Sequence, residues 1–230
     1  MKNIKFYGAA AALSAAVLWL VHTFSLLEVP VLFGLEVPET EGSVDFIQLV
    51  YWLWLLFPLW FAAGYMIDGK LKMREVTVFR YGSGLRWWLS IVGNLLILSA
   101  VHSILMYAIA GAGVGSGRMM AVILVMVHGV MVLFLFAALL LCTGRRIVST
   151  AILIMAEAFG FIIPEIYGAD AACVPVMWGM YIRQSMGGNG FDPVWAIAAE
   201  TAVTAVCILA MCIISKKTDL IWKVKREDYG

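Results

Sequence analysis

Apolar residues in this chain run in long unbroken blocks. They do not alternate as in half-buried strands, nor fall on one helical face as in soluble helices. Six blocks stand out, at approximately 8–27, 46–67, 88–110, 119–142, 148–167 and 194–214. Each approaches the length of about 20 residues that a helix needs to cross a hydrocarbon core. Inside that core the backbone must satisfy its own hydrogen bonds, which leaves helices or a closed barrel. The blocks are too long and too uniform for barrel strands. The pattern therefore predicts an all-α integral membrane protein: one domain, 1–230, with six transmembrane helices.

Composition agrees, with 63% hydrophobic and only 13% charged residues. Soluble domains carry about 25% charged residues. The formal net charge of +1 is uninformative, but its distribution is not. With the N-terminus placed in the cytoplasm, the inner segments hold Lys2 and Lys5, then Lys70, Lys72, Arg74, Arg80 and Arg86. They also hold Arg145 and Arg146, and Lys216, Lys217, Lys223, Lys225 and Arg226. Of the 16 basic residues only Arg118 and Arg183 fall outside. The positive-inside bias thus predicts that both termini are cytoplasmic. No basic patch interleaved with aromatics points to nucleic acid.

The N-terminal MKNIKFYG and the run after it resemble a signal peptide, but no small-residue cleavage site follows, so the run is read as a retained first span. The first outer loop is acidic through Glu28, Glu36, Glu39, Glu41 and Asp45, and is read as a solvated face. In span two, Trp52 and Trp54 fit an aromatic belt at the outer end, and Pro58 predicts a kink. The last outer loop is too apolar for free solution, and 176–186 is expected to form a short re-entrant or interfacial helix. The basic tail is read as lying on anionic lipid. Small residues recur at helical spacing at Gly8, Ala12 and Ala16 and at Ala198, Ala202 and Ala205. Such stripes allow close helix approach, within a subunit or at a dimer seam.

Candidate chemistry inside the membrane is sparse. Glu157 and Glu200 are the acidic residues within spans, and an ionisable group at that depth should face the bundle interior or stay protonated. They are candidates for a substrate path or a proton relay, with a buried hydrogen bond to a neighbouring helix as the plain alternative. His102 and His128 lie at similar depths in spans three and four. Such a pair is either hydrogen-bonded within the bundle or a bis-histidine haem site, which would make the chain an electron carrier. Asn94 reads as helix–helix glue, or as a polar point on the same path. The cysteines Cys142, Cys173, Cys207 and Cys212 have neither CxxC nor metal-ligand spacing, and no metal site is expected. No catalytic set at matched depth suggests an enzyme. The nearest approach to a P-loop, from Gly64 to Leu71, lacks the Ser or Thr after Lys70 and follows no strand.

The connection between spans two and three, 68–87, is more regular than a linker. It carries Lys70, Lys72, Arg74, Arg80 and Arg86 among Leu71, Met73, Val76, Val78 and Phe79, and it ends on Trp87 and Trp88. This pattern predicts a short amphipathic helix at the membrane surface. With six spans and both ends inside, it resembles the permease subunits of ABC-2 type transporters. The run Arg80, Tyr81, Gly82, Ser83, Arg86 and Trp87 is similar to that of short bacterial permeases associated with peptide export and immunity.

The resemblance implies that 68–87 is the coupling helix, resting on a separate ABC ATPase subunit that binds ATP and Mg. Val78, Phe79 and Tyr81 would supply most of the docking energy, with Arg74, Arg80 and Arg86 paired to acids on the ATPase and Gly82 and Ser83 forming a hinge before span three. It further implies a second permease subunit, as homodimer or heterodimer, in the prokaryotic cytoplasmic membrane. The substrate would be hydrophobic or amphipathic, such as a peptide or bacteriocin, and this chain would hold no cofactor of its own. The long amphipathic helix that many members place before span one has no counterpart in MKNIKFY. A membrane protein of immunity or assembly that binds a toxin without pumping is the other reading.

Overall fold

The computed structural model describes residues 2–24, 44–73, 81–108, 116–167, 173–183 and 191–227, and every element in them is helical. The elements are α1 (Lys2–Phe24), α2 (Phe46–Lys72), α3 (Gly84–Met106), α4 (Ser116–Thr143), α5 (Arg146–Tyr167), a one-turn α6 (Pro175–Trp178), a 3-10 turn (Tyr181–Arg183) and α7 (Pro193–Glu227). Five helices, α2, α3, α4, α5 and α7, are long and apolar enough to cross a membrane. The apolar part of α1 among the described residues, Lys5–Val21, is shorter.

Local chemistry sets the helix ends. Asp45 caps α2 by accepting from the backbone N–H groups of Ile47 and Gln48 at 2.9 and 3.1 Å. Ser83 caps α3 by accepting from the N–H of Arg86 at 3.2 Å. Just before it Gly82 has φ +73°, a conformation that costs glycine nothing and other residues much. Gly144, at φ +64°, ends α4, and its N–H donates to the Leu140 carbonyl at 2.9 Å. That bond caps the helix and permits the sharp reversal into α5. Asp192 opens α7, its side chain accepting from the N–H of Val194 at 2.9 Å, with Pro193 in the first turn, where no N–H is needed.

The hydrophobic core forms around α4, which packs against α2, α3, α5, α6 and α7. Leu124, Val125, Val132, Leu133, Phe134, Phe136 and Ala137 on α4 are fully buried. By contrast α5 buries only a narrow stripe among its described side chains: Ser149, Leu153, Glu157 and Phe161, each four residues from the last. The remainder of α5, with Ile147, Met155, Phe159 and Ile163, faces outward, as expected where lipid rather than water surrounds the bundle.

Several expectations are revised. Trp52 is not at an aromatic belt; it is fully buried against α4, whereas Trp54 is half exposed. Trp87 and Trp88 do not rest at an interface but pack into the core, edge to face with ring centroids 4.9 Å apart. α2 continues past the expected end of span two, through Asp68 to Lys72, and runs unbroken through Pro58. Gly8, Ala12 and Ala16, like Ala198, Ala202 and Ala205, are exposed, so neither stripe packs within this subunit. In α1 the inward face is instead Ala10, Ser14, Val17, Leu18 and Val21. The basic tail continues α7 as helix to Glu227.

The apolar segment before α7 folds back on the bundle. Val176, Met177, Trp178 and Met180 are buried. A Cβ on Gly160 of α5 would meet Val176 Cγ2 at 2.6 Å, so only glycine allows α6 to sit this close. Gly160→Ala is expected to destabilise the protein by about 1–3 kcal/mol through overpacking. Gly93→Ala, where a Cβ meets nothing within 4 Å, should be neutral or stabilising by up to about 1 kcal/mol. Thermal unfolding of both variants in detergent micelles checks the contrast.

Candidate functional site

Three ionisable side chains from three helices meet inside the bundle. His128 of α4 and Glu200 of α7 have no solvent exposure, and Glu157 of α5 is 4% exposed. Glu157 sits on the one buried stripe of its helix. Glu200 sits on the buried face of α7, which also presents Ala196, Cys207 and Met211. His128 faces both from the central helix. Its Nδ1 lies 2.7 Å from Glu200 Oε1, a short hydrogen bond of the length found when one partner is charged. Its Nε2 lies 3.5 Å from Glu157 Oε2, within ion-pair range but too long for a hydrogen bond.

The walls of this row are apolar and tight. The Trp52 ring lies 5.6 Å from the imidazole, centroid to centroid. Gly179, just beyond α6, presses on the other side: a Cβ there would meet His128 Cβ and Cγ at 2.6 Å. Oε2 of Glu200, Oε2 of Glu157 and Nε2 of His128 are all buried without a hydrogen-bond partner among the described residues. Such groups are costly in a dry interior unless protonated or paired. Outward along α5, the Arg183 guanidinium lies 5.7 Å from the Phe161 ring centroid, four residues and so one turn beyond Glu157.

The geometry decides which chemistry fits. The carboxylates address opposite nitrogens of one ring, so no single point is shared by all three groups. Among the described residues no cluster of three or more His, Cys, Asp or Glu could hold a metal ion. An imidazole with an acid at each nitrogen is instead suited to holding protons and passing them on.

The other polar points predicted for a substrate path are not part of this row. His102 is buried on α3, its Nδ1 3.1 Å from Ser14 Oγ of α1. Asn94 accepts from the Tyr7 hydroxyl and donates from Nδ2 to the Ser90 carbonyl at 2.6 Å, tying α1 to α3. His102 and His128 thus answer to different partners, and His128 Nε2 is directed at Glu157, an arrangement that favours no haem bridge between them.

At the end of the bundle where α2 meets α3, Lys70 Nζ lies 3.2 Å from Ser90 Oγ and 3.4 Å from the Ser90 carbonyl. The Tyr81 hydroxyl lies 3.1 Å from the same Oγ. This clamp ties both ends of the intervening connection to the second turn of α3. Of the residues expected to couple to an ATPase, Tyr81, Gly82, Ser83 and Arg86 are described here, and Arg86 and Tyr81 are exposed. Arg74, Val78, Phe79 and Arg80 lie outside the described residues. Sequence reasoning missed Lys70 and Ser90 as a pair, Trp52 and Gly179 as walls, and Ser14 as the partner of His102.

Comparison of the chain with protein-family models, with curated proteins and with solved structures gave no match.

Breaking a buried ion pair typically costs about 3–5 kcal/mol, because the remaining charge is left without a partner. Glu200→Ala is expected to lose stability in that range. Glu200→Gln, which keeps a hydrogen bond to the imidazole, should lose less than half as much. Denaturant unfolding followed by tryptophan fluorescence measures both.

Proposed function

We propose that the protein is the permease subunit of an ABC-2 type transporter in a prokaryotic cytoplasmic membrane, with both termini inside. It moves a hydrophobic or amphipathic substrate, with peptides the favoured class, and ATP is hydrolysed on a separate subunit. The observation that carries this reading is the Lys70–Ser90–Tyr81 clamp. A connection that transmits mechanical work must be rigidly joined to the helices it moves. Here the last turn of α2 and the residue entering α3 are both fastened to Ser90, so the two helices and the polar segment between them form one lever.

Two further features support the reading. The basic residues gather at the end of the bundle that carries the clamp, as the positive-inside rule requires of a cytoplasmic face. The exposed small-residue stripes on α1 and α7 leave faces on which a second permease subunit can pack closely. The bundle interior, with its ionisable row, belongs to the transport path in this reading.

Affinity purification of the tagged protein from native membranes is expected to recover an ABC ATPase in stoichiometric amount; recovery of the chain alone would refute the assignment. In the reconstituted pair, Phe79→Ala with Tyr81→Ala should reduce substrate-stimulated ATP hydrolysis by at least tenfold while leaving the folded yield unchanged. Coupling at the wild-type level would remove these two residues from the docking surface.

A further inference from the structure

We propose that the row Glu157–His128–Glu200 is a proton-exchange site, in which Glu157 carries an exchangeable proton as a neutral acid beside an imidazolium–carboxylate pair formed by His128 and Glu200. The inference stands on the intramembrane geometry alone and does not depend on how the protein is powered.

The asymmetry of the row assigns the charges. A fully desolvated carboxylate and imidazolium attract strongly and close to a short hydrogen bond, as His128 and Glu200 do at 2.7 Å. Glu157 stands off at 3.5 Å from the other nitrogen although nothing charged holds it back. A carboxylate this near an imidazolium in a dry interior would be drawn in; a neutral acid would not. With Glu157 protonated the row is neutral as a whole: one imidazolium, one carboxylate, one acid. That is the state a low-dielectric site favours, since an unbalanced charge there is expensive.

The same site can give the proton up. Release breaks the Glu157 O–H bond, leaves its electron pair on the oxygen and sends the proton to water or another base. The imidazolium then stands between two carboxylates with a net charge of one negative unit. The groups around the row set how readily this happens. α4 contributes His128, α5 Glu157 and α7 Glu200. α2 presents Trp52 rather than a charge, α6 and Gly179 contribute none, and the 3-10 turn brings Arg183 over Phe161, one turn outward. Arg183 is placed to offset the negative charge at a distance, so the released state is reachable as well as the loaded one. Glu157 is also the one member of the row with residual exposure, 4% against none for the other two, which makes it the point of entry and exit.

Infrared difference spectroscopy of the protein in lipid bilayers, between neutral and alkaline buffer, tests the assignment. At neutral pH exposed carboxyls are ionised, so a protonated-acid C=O band that persists there and is lost on alkalinisation reports a buried acid. The wild type is expected to show this band and Glu157→Gln to lose it entirely. Absence of the band in the wild type, or its survival in Glu157→Gln, overturns the proposal. Glutamine is the near-isostere of a neutral acid, so the variant should fold normally; collapse of folded yield in Glu157→Gln alone marks Glu157 as charged and likewise overturns it.

A second readout follows the ring. In protein labelled with 15N-histidine, the His128 signal, assigned by its loss in His128→Gln, should report imidazolium in the wild type and in Glu157→Gln. It should report neutral imidazole in Glu200→Gln. A ring that is neutral in the wild type, or that loses its charge with Glu157 rather than with Glu200, is the contrary result.

Discussion

A carboxyl group on a membrane-crossing helix must find its counterpart inside the protein, because the hydrocarbon around it offers none. Two helices of this chain carry such a group at mid-depth, and the central helix carries the base that both address. That requirement fixes the rotation of α5 and α7 about their own axes. α5 turns so that Ser149, Leu153, Glu157 and Phe161 face inward, and the bulk of its apolar surface is left outside. Apolar packing alone would not select this orientation, since the helix is hydrophobic on nearly every side. The ionisable row therefore acts as the register mark of the bundle.

The two ends of the bundle are built differently. Where α2 gives way to α3, hydrogen bonds from Lys70 and Tyr81 converge on one serine, and a capped helix start follows a glycine with positive φ. At the opposite end, α6 and the 3-10 turn lie on the mouths of α4, α5 and α7, held by close glycine contacts and by burial of Val176, Met177 and Met180. One end is fastened by polar bonds to a basic, water-facing edge. The other is closed by an apolar plug.

Much of this was legible in the residues. Long apolar blocks gave the helices, and the cost of burying Glu157 and Glu200 pointed to the interior, where both lie. Their common partner was harder to see. His128 and His102 occupy similar depths, and nothing in the spacing of either told which one would face the acids. That depends on how α4 rotates against five neighbours. Trp52 misled for a related reason: tryptophan near a helix end suits an interface, yet here the ring fills the space beside an imidazole. The small-residue stripes suggested internal packing. Side-chain volume elsewhere on α1 and α7 decided instead that Ser14 and Glu200 turn inward and the stripes turn out.

Gly179 touches the His128 ring with no space for even a methyl group between them. The backbone there is thus the lid of a sealed chamber, and its seal is as thin as one peptide unit. A displacement of that strand by the diameter of a water molecule is enough to hydrate the ring. Dryness at the centre of this protein is consequently a property of a short surface segment, and whatever pulls on that segment governs the chemistry beneath it.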